Sequence, residues 1–203
     1  MSATFVIFLV IFLISFISYL IGSIPTGYIV VKAKTGQDIR DIGSGSTGAT
    51  NVKRVLGKGW FFTVMILDAL KGALPVFLVR MFISDSLGFF AVLAAGFVIL
   101  GHSKPVFLQF KGGKSVASGI GTMIALNPIV GLLSAVIWAV ITFITKYVSV
   151  GSIIAVIIAP FMMYYLKNPI GYTLYCIVAA IYIIILHRQN IQRLIKGEEN
   201  KVR

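Results

Sequence analysis

Residues Asp41 to Arg54 read DIGSGSTGATNVKR, a segment rich in Gly, Ser, Thr and Asn that lies between two long apolar stretches and ends in a cation. Glycines let backbone N–H groups turn toward an anion without obstruction by a Cβ, and an anion at a helix start gains from the dipole. Ser44, Thr47, Thr50 and Asn51 add neutral donors, and Arg54 adds charge of the kind phosphate selects. A second cluster, GHSKPVFLQFKGGKS from Gly101 to Ser115, supplies Lys114 directly after a Gly-Gly pair. Together the two segments point to phosphate binding; a solvated turn with incidental cations is the plainer alternative.

Two familiar phosphate motifs are excluded. Gly43 to Gly48 matches G-x-G-x-x-G, but a dinucleotide site needs a strand before it and an acid about 20 residues on. The next acid, Asp68, falls in an apolar run. KGGKS echoes a Walker A loop, yet the first glycine of that motif would fall on Leu108. The acids Asp38, Asp41, Glu198 and Glu199 lack the spacing of a Mg²⁺ site or an acid/base pair. His102 and His187 lack that of a zinc site, so no metal and no cofactor is expected. Each histidine is either an interfacial polar residue or a partner or base for a substrate hydroxyl. Asp68 and Lys71, three apart, share a helix face and suggest a buried ion pair, with a part in the site as the alternative. The lone Cys176, in an apolar run, reads as a packing residue.

The elements that must position these groups are membrane helices. Of 203 residues 58% are hydrophobic and 12% charged, about half the charge of a soluble domain. No polar block of domain size interrupts the chain, so residues 1–203 are expected to form one membrane-embedded domain, an all-α bundle. Against the roughly 20 apolar residues a spanning helix requires, the candidates are 5–31, 60–83, 87–100, 129–145, 150–166 and 169–186. A short crossing over 115–126, bounded by Lys114 and the Asn127-Pro128 turn signal, brings the expectation to seven transmembrane helices. Five is the fallback if the short segment and a neighbour form a re-entrant pair. The first stretch has no preceding cations and no small-x-small cleavage site, and reads as a retained span. Trp60, Tyr147 and Tyr172 fall near span ends as expected interface anchors.

Seven crossings sort the cations. Lys32, Lys34, Arg40, Lys53, Arg54, Lys58, Lys104, Lys111, Lys114, Lys146, Arg188, Arg193, Lys196, Lys201 and Arg203 fall on one face; only Arg80 and Lys167 fall on the other. By the positive-inside rule the N-terminus is outside and the C-terminus cytoplasmic. The net charge of +12 then reflects topology and attraction to anionic lipid heads rather than nucleic acid. The Gly-rich loop, residues 101–115, KYVSVGS and HRQN all meet on the cytoplasmic face, which is where the site is expected.

Five segments, GSIPTGYIV, GSGSTGATNVKRVLG, GHSKPVFLQFKGGKSVAS, YVSVGSI and HRQNIQRLIKGEE, in this order and spacing resemble the bacterial acyl-phosphate:glycerol-3-phosphate acyltransferase family over almost the whole chain. Ser115 stands where that family usually has Gly, and Ser118 where Thr is common. The resemblance implies a seven-helix enzyme of the bacterial cell membrane. It would transfer a fatty acyl group from acyl phosphate to glycerol 3-phosphate, giving 1-acyl-glycerol 3-phosphate (lysophosphatidic acid) and phosphate in phospholipid synthesis. It further implies a soluble partner that makes the acyl phosphate, and substrate access from membrane lipid. By matching positions, Ser44, Gly45, Thr50, Asn51 and Ser152 would bind substrate or phosphate, and Lys114, Arg54, His187 and Asn190 would carry catalysis. The proton acceptor is either the donor phosphate or His187. A membrane transporter for a small phosphate ester is the rival; the one-sided placement of the polar loops and the lack of an inverted repeat with interrupted helices count against it.

Overall fold

The computed structural model describes residues 2–83 and 85–202, which form helices and connecting turns without a strand. α1 (Ala3–Ser23) and α2 (Thr26–Thr35) form one 33-residue apolar stretch broken at Pro25. The expected span over 5–31 lies within this stretch, with its helix broken once. Proline has no N–H to continue the ladder and drives the preceding residue out of the helical region; Ile24 sits at ψ 113. The break has a use, because the Ile24 carbonyl accepts from Lys71 Nζ at 2.6 Å.

After the short α3 (Ala49–Leu56), α4 (Lys58–Phe82) and α5 (Phe89–Ser103) pack as neighbours, followed by α6 (Val116–Leu126), α7 (Pro128–Thr145), α8 (Val148–Tyr165), α9 (Ile170–Leu186) and α10 (Arg188–Ile195). α7 begins at Asn127, whose Oδ1 accepts from the N–H of Ile129 at 3.0 Å and of Val130 at 3.2 Å, with Pro128 in the first turn, the arrangement a helix start favours. Five stretches are long and apolar enough to span a bilayer: Ala3–Thr35, Lys58–Phe82, Phe89–Leu108, Pro128–Thr145 and Val148–Tyr165. A sixth is reached if α9 and α10, bent by 58°, count as one. Of the seven expected segments α6 is the outlier. Its 11 residues rise only about 16 Å, roughly half a hydrocarbon core.

The helices meet through small residues, as they must where lipid removes the hydrophobic drive for association. A Cβ on Gly121 would lie 1.9 Å from the Ala69 carbonyl oxygen, and one on Gly72 would lie 2.2 Å from that of Ser118, so α4 and α6 touch backbone to backbone. The main apolar core packs α4, α5, α6, α8 and α9 around Val76, Ala94, Leu126, Met163 and Cys176. Tyr172 belongs to it, 6% exposed, and is therefore not the interface anchor the sequence suggests; Arg80 lies over its ring at 5.9 Å. The expected Asp68–Lys71 pair is made inside α4 at 2.8 Å.

Gly121→Val drives a branched side chain into a main-chain oxygen that cannot yield, and is expected to destabilise by about 3 kcal/mol. Gly96→Ala, where an added Cβ meets nothing within 4 Å, is expected to stabilise by up to about 1 kcal/mol. Thermal unfolding of the two variants in one detergent checks the opposite signs.

Candidate active site

The Gly-rich loop is organised from its own sequence. Asp38 accepts from the Arg40 N–H at 2.9 Å and pairs with its guanidinium at 2.6 Å, setting a tight turn over Ile39–Asp41. Gly43 and Gly45 follow with φ of 62° and 68°, where a Cβ is costly. Asn51, 1% exposed, reaches back from α3. Its Nδ2 contacts the carbonyls of Ile42 at 2.9 Å, Ser46 at 3.0 Å and Ile39 at 3.2 Å, and its Oδ1 accepts from the Ser44 N–H at 3.1 Å. One amide thereby closes the whole loop.

The second loop is seated on α5. The Gly113 N–H donates to the His102 carbonyl at 3.1 Å, and the His102 ring packs so closely that a Cβ on Gly113 would fall 2.2 Å from Nε2. His102 Nδ1 lies 3.7 Å from Asp68 Oδ1. Ser115 opens α6 with φ 59° and its Oγ donates to the Ile99 carbonyl at 2.7 Å. This left-handed conformation suits the glycine usual in the resembling family, and the hydroxyl supplies a compensating bond.

Between these turns Lys114 projects across to α10, where its Nζ donates to Asn190 Oδ1. The Asn190 Nδ2 in turn donates to Glu199 Oε1 at 2.6 Å, while Ser149 Oγ donates to the same oxygen at 2.8 Å and Arg193 Nε to Oε2 at 2.8 Å. Burial pushes Lys114 down to about 8, and the nearby charge of Arg193 adds to this while Glu199 opposes it. Burial would raise Glu199, but the hydrogen bonds from Asn190, Arg193 and Ser149 outweigh it and hold the carboxyl below its ordinary range. His187, 3% exposed at the α9–α10 bend, places Nδ1 2.8 Å from the Ile183 carbonyl. A carbonyl only accepts, so Nδ1 carries the proton and Nε2 of the neutral ring is an acceptor.

These elements enclose a cavity of about 350 Å³, within the range of small-molecule sites. Ser44, Thr50, Asn51, Arg54, Lys114, Ser152, His187 and Asn190 all line it; Gly45 does not. Three of the eight keep their polar atoms for the protein: Asn51 for its loop, Asn190 for Lys114 and Glu199, and Ser152, whose Oγ donates to the Val148 carbonyl at 2.8 Å. The sequence reading missed Ser149, Arg193 and Glu199. Arg193 stands one helical turn from Asn190, a spacing that could have flagged it; nothing local signals that the chain after α10 folds back. Two acids, Asp68 and Glu199, also line the cavity. Among the described residues no His, Cys, Asp and Glu group has the makings of a metal site. Phe61, Met65, Ile120 and Trp138 add apolar lining. The cavity thus offers cations and neutral donors to an anionic head and apolar side chains to a tail.

Known proteins are similar to this chain in sequence and fold. The family model described as glycerol-3-phosphate acyltransferase matches residues 10–197. The glycerol-3-phosphate acyltransferases of Nostoc sp. and Gloeobacter violaceus are each 43% identical, the first over 92% of this chain and 89% of its own, the second over 91% of each. The crystal structure of PlsY, an integral membrane glycerol 3-phosphate acyltransferase, superposes with a TM-score of 0.90 in its glycerol 3-phosphate form, at 38% identity over 95% of this chain and 96% of that one. Its lysophosphatidic acid form gives 0.86 at 36% identity over 95% of each. An all-helical membrane bundle with its Gly-rich loops gathered around one amphipathic cavity, matched along nearly its full length, belongs to the glycerol-3-phosphate acyltransferase family.

Proposed function

We propose that this glycerol-3-phosphate acyltransferase draws its acyl group from acyl phosphate, releasing lysophosphatidic acid and inorganic phosphate. One observation carries the reading: a single cavity is lined both by the cations Arg54, Lys114 and Arg193 and by the apolar side chains of Phe61, Met65 and Ile120. Both substrates bear phosphate, and the donor adds a chain that needs apolar lining. The donor is a mixed anhydride, already activated, so no covalent acyl-enzyme is required. The glycerol hydroxyl oxygen attacks the acyl carbon, negative charge develops on the carbonyl oxygen, and phosphate leaves as the C–O bond to it breaks. Lys114 and Arg54 stabilise the charge on that oxygen and on the departing phosphate. Asn190 has its oxygen on Lys114 and its nitrogen on Glu199, so it positions the lysine. His187 Nε2 accepts from the non-attacking hydroxyl of the glycerol and so orients the acceptor, and the donor phosphate takes the proton of the attacking hydroxyl; positioning supplies much of the barrier reduction when the donor is activated. Ser44 and Thr50 offer neutral donors to the phosphates.

Seven crossings, with α6 held inside the bundle and α9 ending at the site, give every connection on the cavity side the cations and leave Arg80 and Lys167 opposite. The positive-inside bias then supports a cytoplasmic site in the bacterial cell membrane, with the N-terminus outside, and delivery of acyl phosphate from a soluble enzyme.

With synthetic palmitoyl phosphate and glycerol 3-phosphate, and no metal, the chain is expected to form phosphate and lysophosphatidic acid in equal amounts, and Lys114→Ala to lower kcat/KM by about 10²-fold or more. Flux of glycerol 3-phosphate into liposomes without product would overturn the enzyme in favour of the transporter. Lys114 is cationic below about 8 and neutral above it. The profile of kcat/KM for acyl phosphate should therefore fall as pH rises through about 8, and Lys114→Arg, charged throughout, should move that limb upward. His187→Gln keeps an acceptor but no base and should retain most of kcat; a loss of about 10²-fold would assign the proton to His187 instead.

A further inference from the structure

Between α5 and Lys114 the chain makes a rigid outward turn that the site does not use. Leu108 at its centre is buried. The turn is fastened on both sides: Tyr19 Oη donates to the Lys104 carbonyl at 2.7 Å, and Arg40 Nη1 to the Leu108 carbonyl at 3.3 Å. The Phe110 N–H donates to the Pro105 carbonyl at 2.9 Å. Gln109 and Phe110 are consecutive non-glycine residues at φ 54° and 62°, a conformation that persists only where surrounding contacts impose it. Its outcome is exposure of two aromatic rings, Phe107 at 59% and Phe110 at 55%, with Lys104 and Lys111 exposed on either side.

Depth says what covers those rings. α5 has 15 residues and rises about 22 Å, short of a hydrocarbon core of about 30 Å. The apolar stretch reaches 20 residues only by continuing through Leu108. The turn therefore sits where the hydrocarbon of the cavity-side leaflet ends, with its aromatic rings level with the lipid and its lysines level with the headgroups. Charge favours the cations: from Ser86 to Gly197 the chain contains no Asp or Glu, and Asp38, which reaches the turn through Arg40, is paired with that guanidinium.

We propose that the turn over 104–111 is a lipid-surface anchor, with Phe107 and Phe110 inserted among the acyl chains of the cavity-side leaflet and Lys104 and Lys111 holding anionic phospholipid headgroups. The anchor ends at Gly112-Gly113, so it fixes one end of the segment that carries Lys114. It does not depend on which acyl donor the enzyme uses.

The test places a tryptophan at the turn, Phe107→Trp and separately Phe110→Trp, in full-length protein reconstituted in vesicles, with the parent's emission from Trp60 and Trp138 subtracted. The added emission should be quenched by lipid brominated high in the acyl chain and protected from aqueous iodide. Brominated phosphatidylglycerol should quench about twofold or more better than brominated phosphatidylcholine at equal mole fraction, and adding Lys104→Gln with Lys111→Gln should abolish that preference. Quenching by iodide and not by bromolipid at both positions would overturn the anchor. Equal quenching by the two lipids would overturn its anionic half. Retained acyl transfer in each variant establishes that the protein under test is folded.

Discussion

The amide of Asn190 joins two parts of the chain that have no other reason to meet. Its oxygen accepts from Lys114, on the loop that enters α6, and its nitrogen donates to Glu199, beyond α10. A lysine beside hydrocarbon must have its charge compensated or lose it, and this bridge compensates it without placing a carboxylate directly on the ammonium. Much of the architecture serves to bring that amide into place. The bend at His187 turns α10 out of the line of α9, the close contacts of Gly72 with Ser118 and of Gly121 with Ala69 hold α6 against α4 at the depth where Lys114 can reach, and the backbone of His102 seats the glycine pair that lets it turn.

The same economy governs the Gly-rich loop. Asn51, a residue whose type suggests a ligand, spends its hydrogen bonds on the loop itself, and the exposed hydroxyl and guanidinium of Ser44 and Arg54 are left to face the cavity. Deeper in the membrane, Lys71 is satisfied by Asp68 and by a carbonyl that Pro25 releases from the first helix. A polar group inside a membrane protein needs a named partner, and here a helix break supplies part of it.

Much of this is legible in the chain. Apolar run lengths give the membrane class and helix positions, and the types and order of Ser44, Thr50, Arg54, Lys114, His187 and Asn190 mark a site that the fold then gathers around one cavity. What the residues do not reveal is of two kinds. Main-chain geometry at Pro25 and Ser115 decides where carbonyls point, and residue types report that only indirectly. Return of the chain after α10 is a long-range event: Glu199 sits in a short polar tail whose composition resembles any solvated end, yet it packs against Ser149, 50 positions away. Tyr172 misleads for a related reason, since a tyrosine near a helix end is as well suited to a cation and a core as to a headgroup.

Glu199 changes how the donors around it should be understood. Its carboxylate already holds the Asn190 amide, the Arg193 guanidinium and the Ser149 hydroxyl in an anion-binding array, so the entropy of aligning those groups is lost once, when the protein folds, and not at each turnover. A resident carboxylate also caps how strongly the wall can attract a second anion. The positive potential is graded rather than maximal, which suits a cavity that must let go of an anionic product as readily as it accepts an anionic substrate.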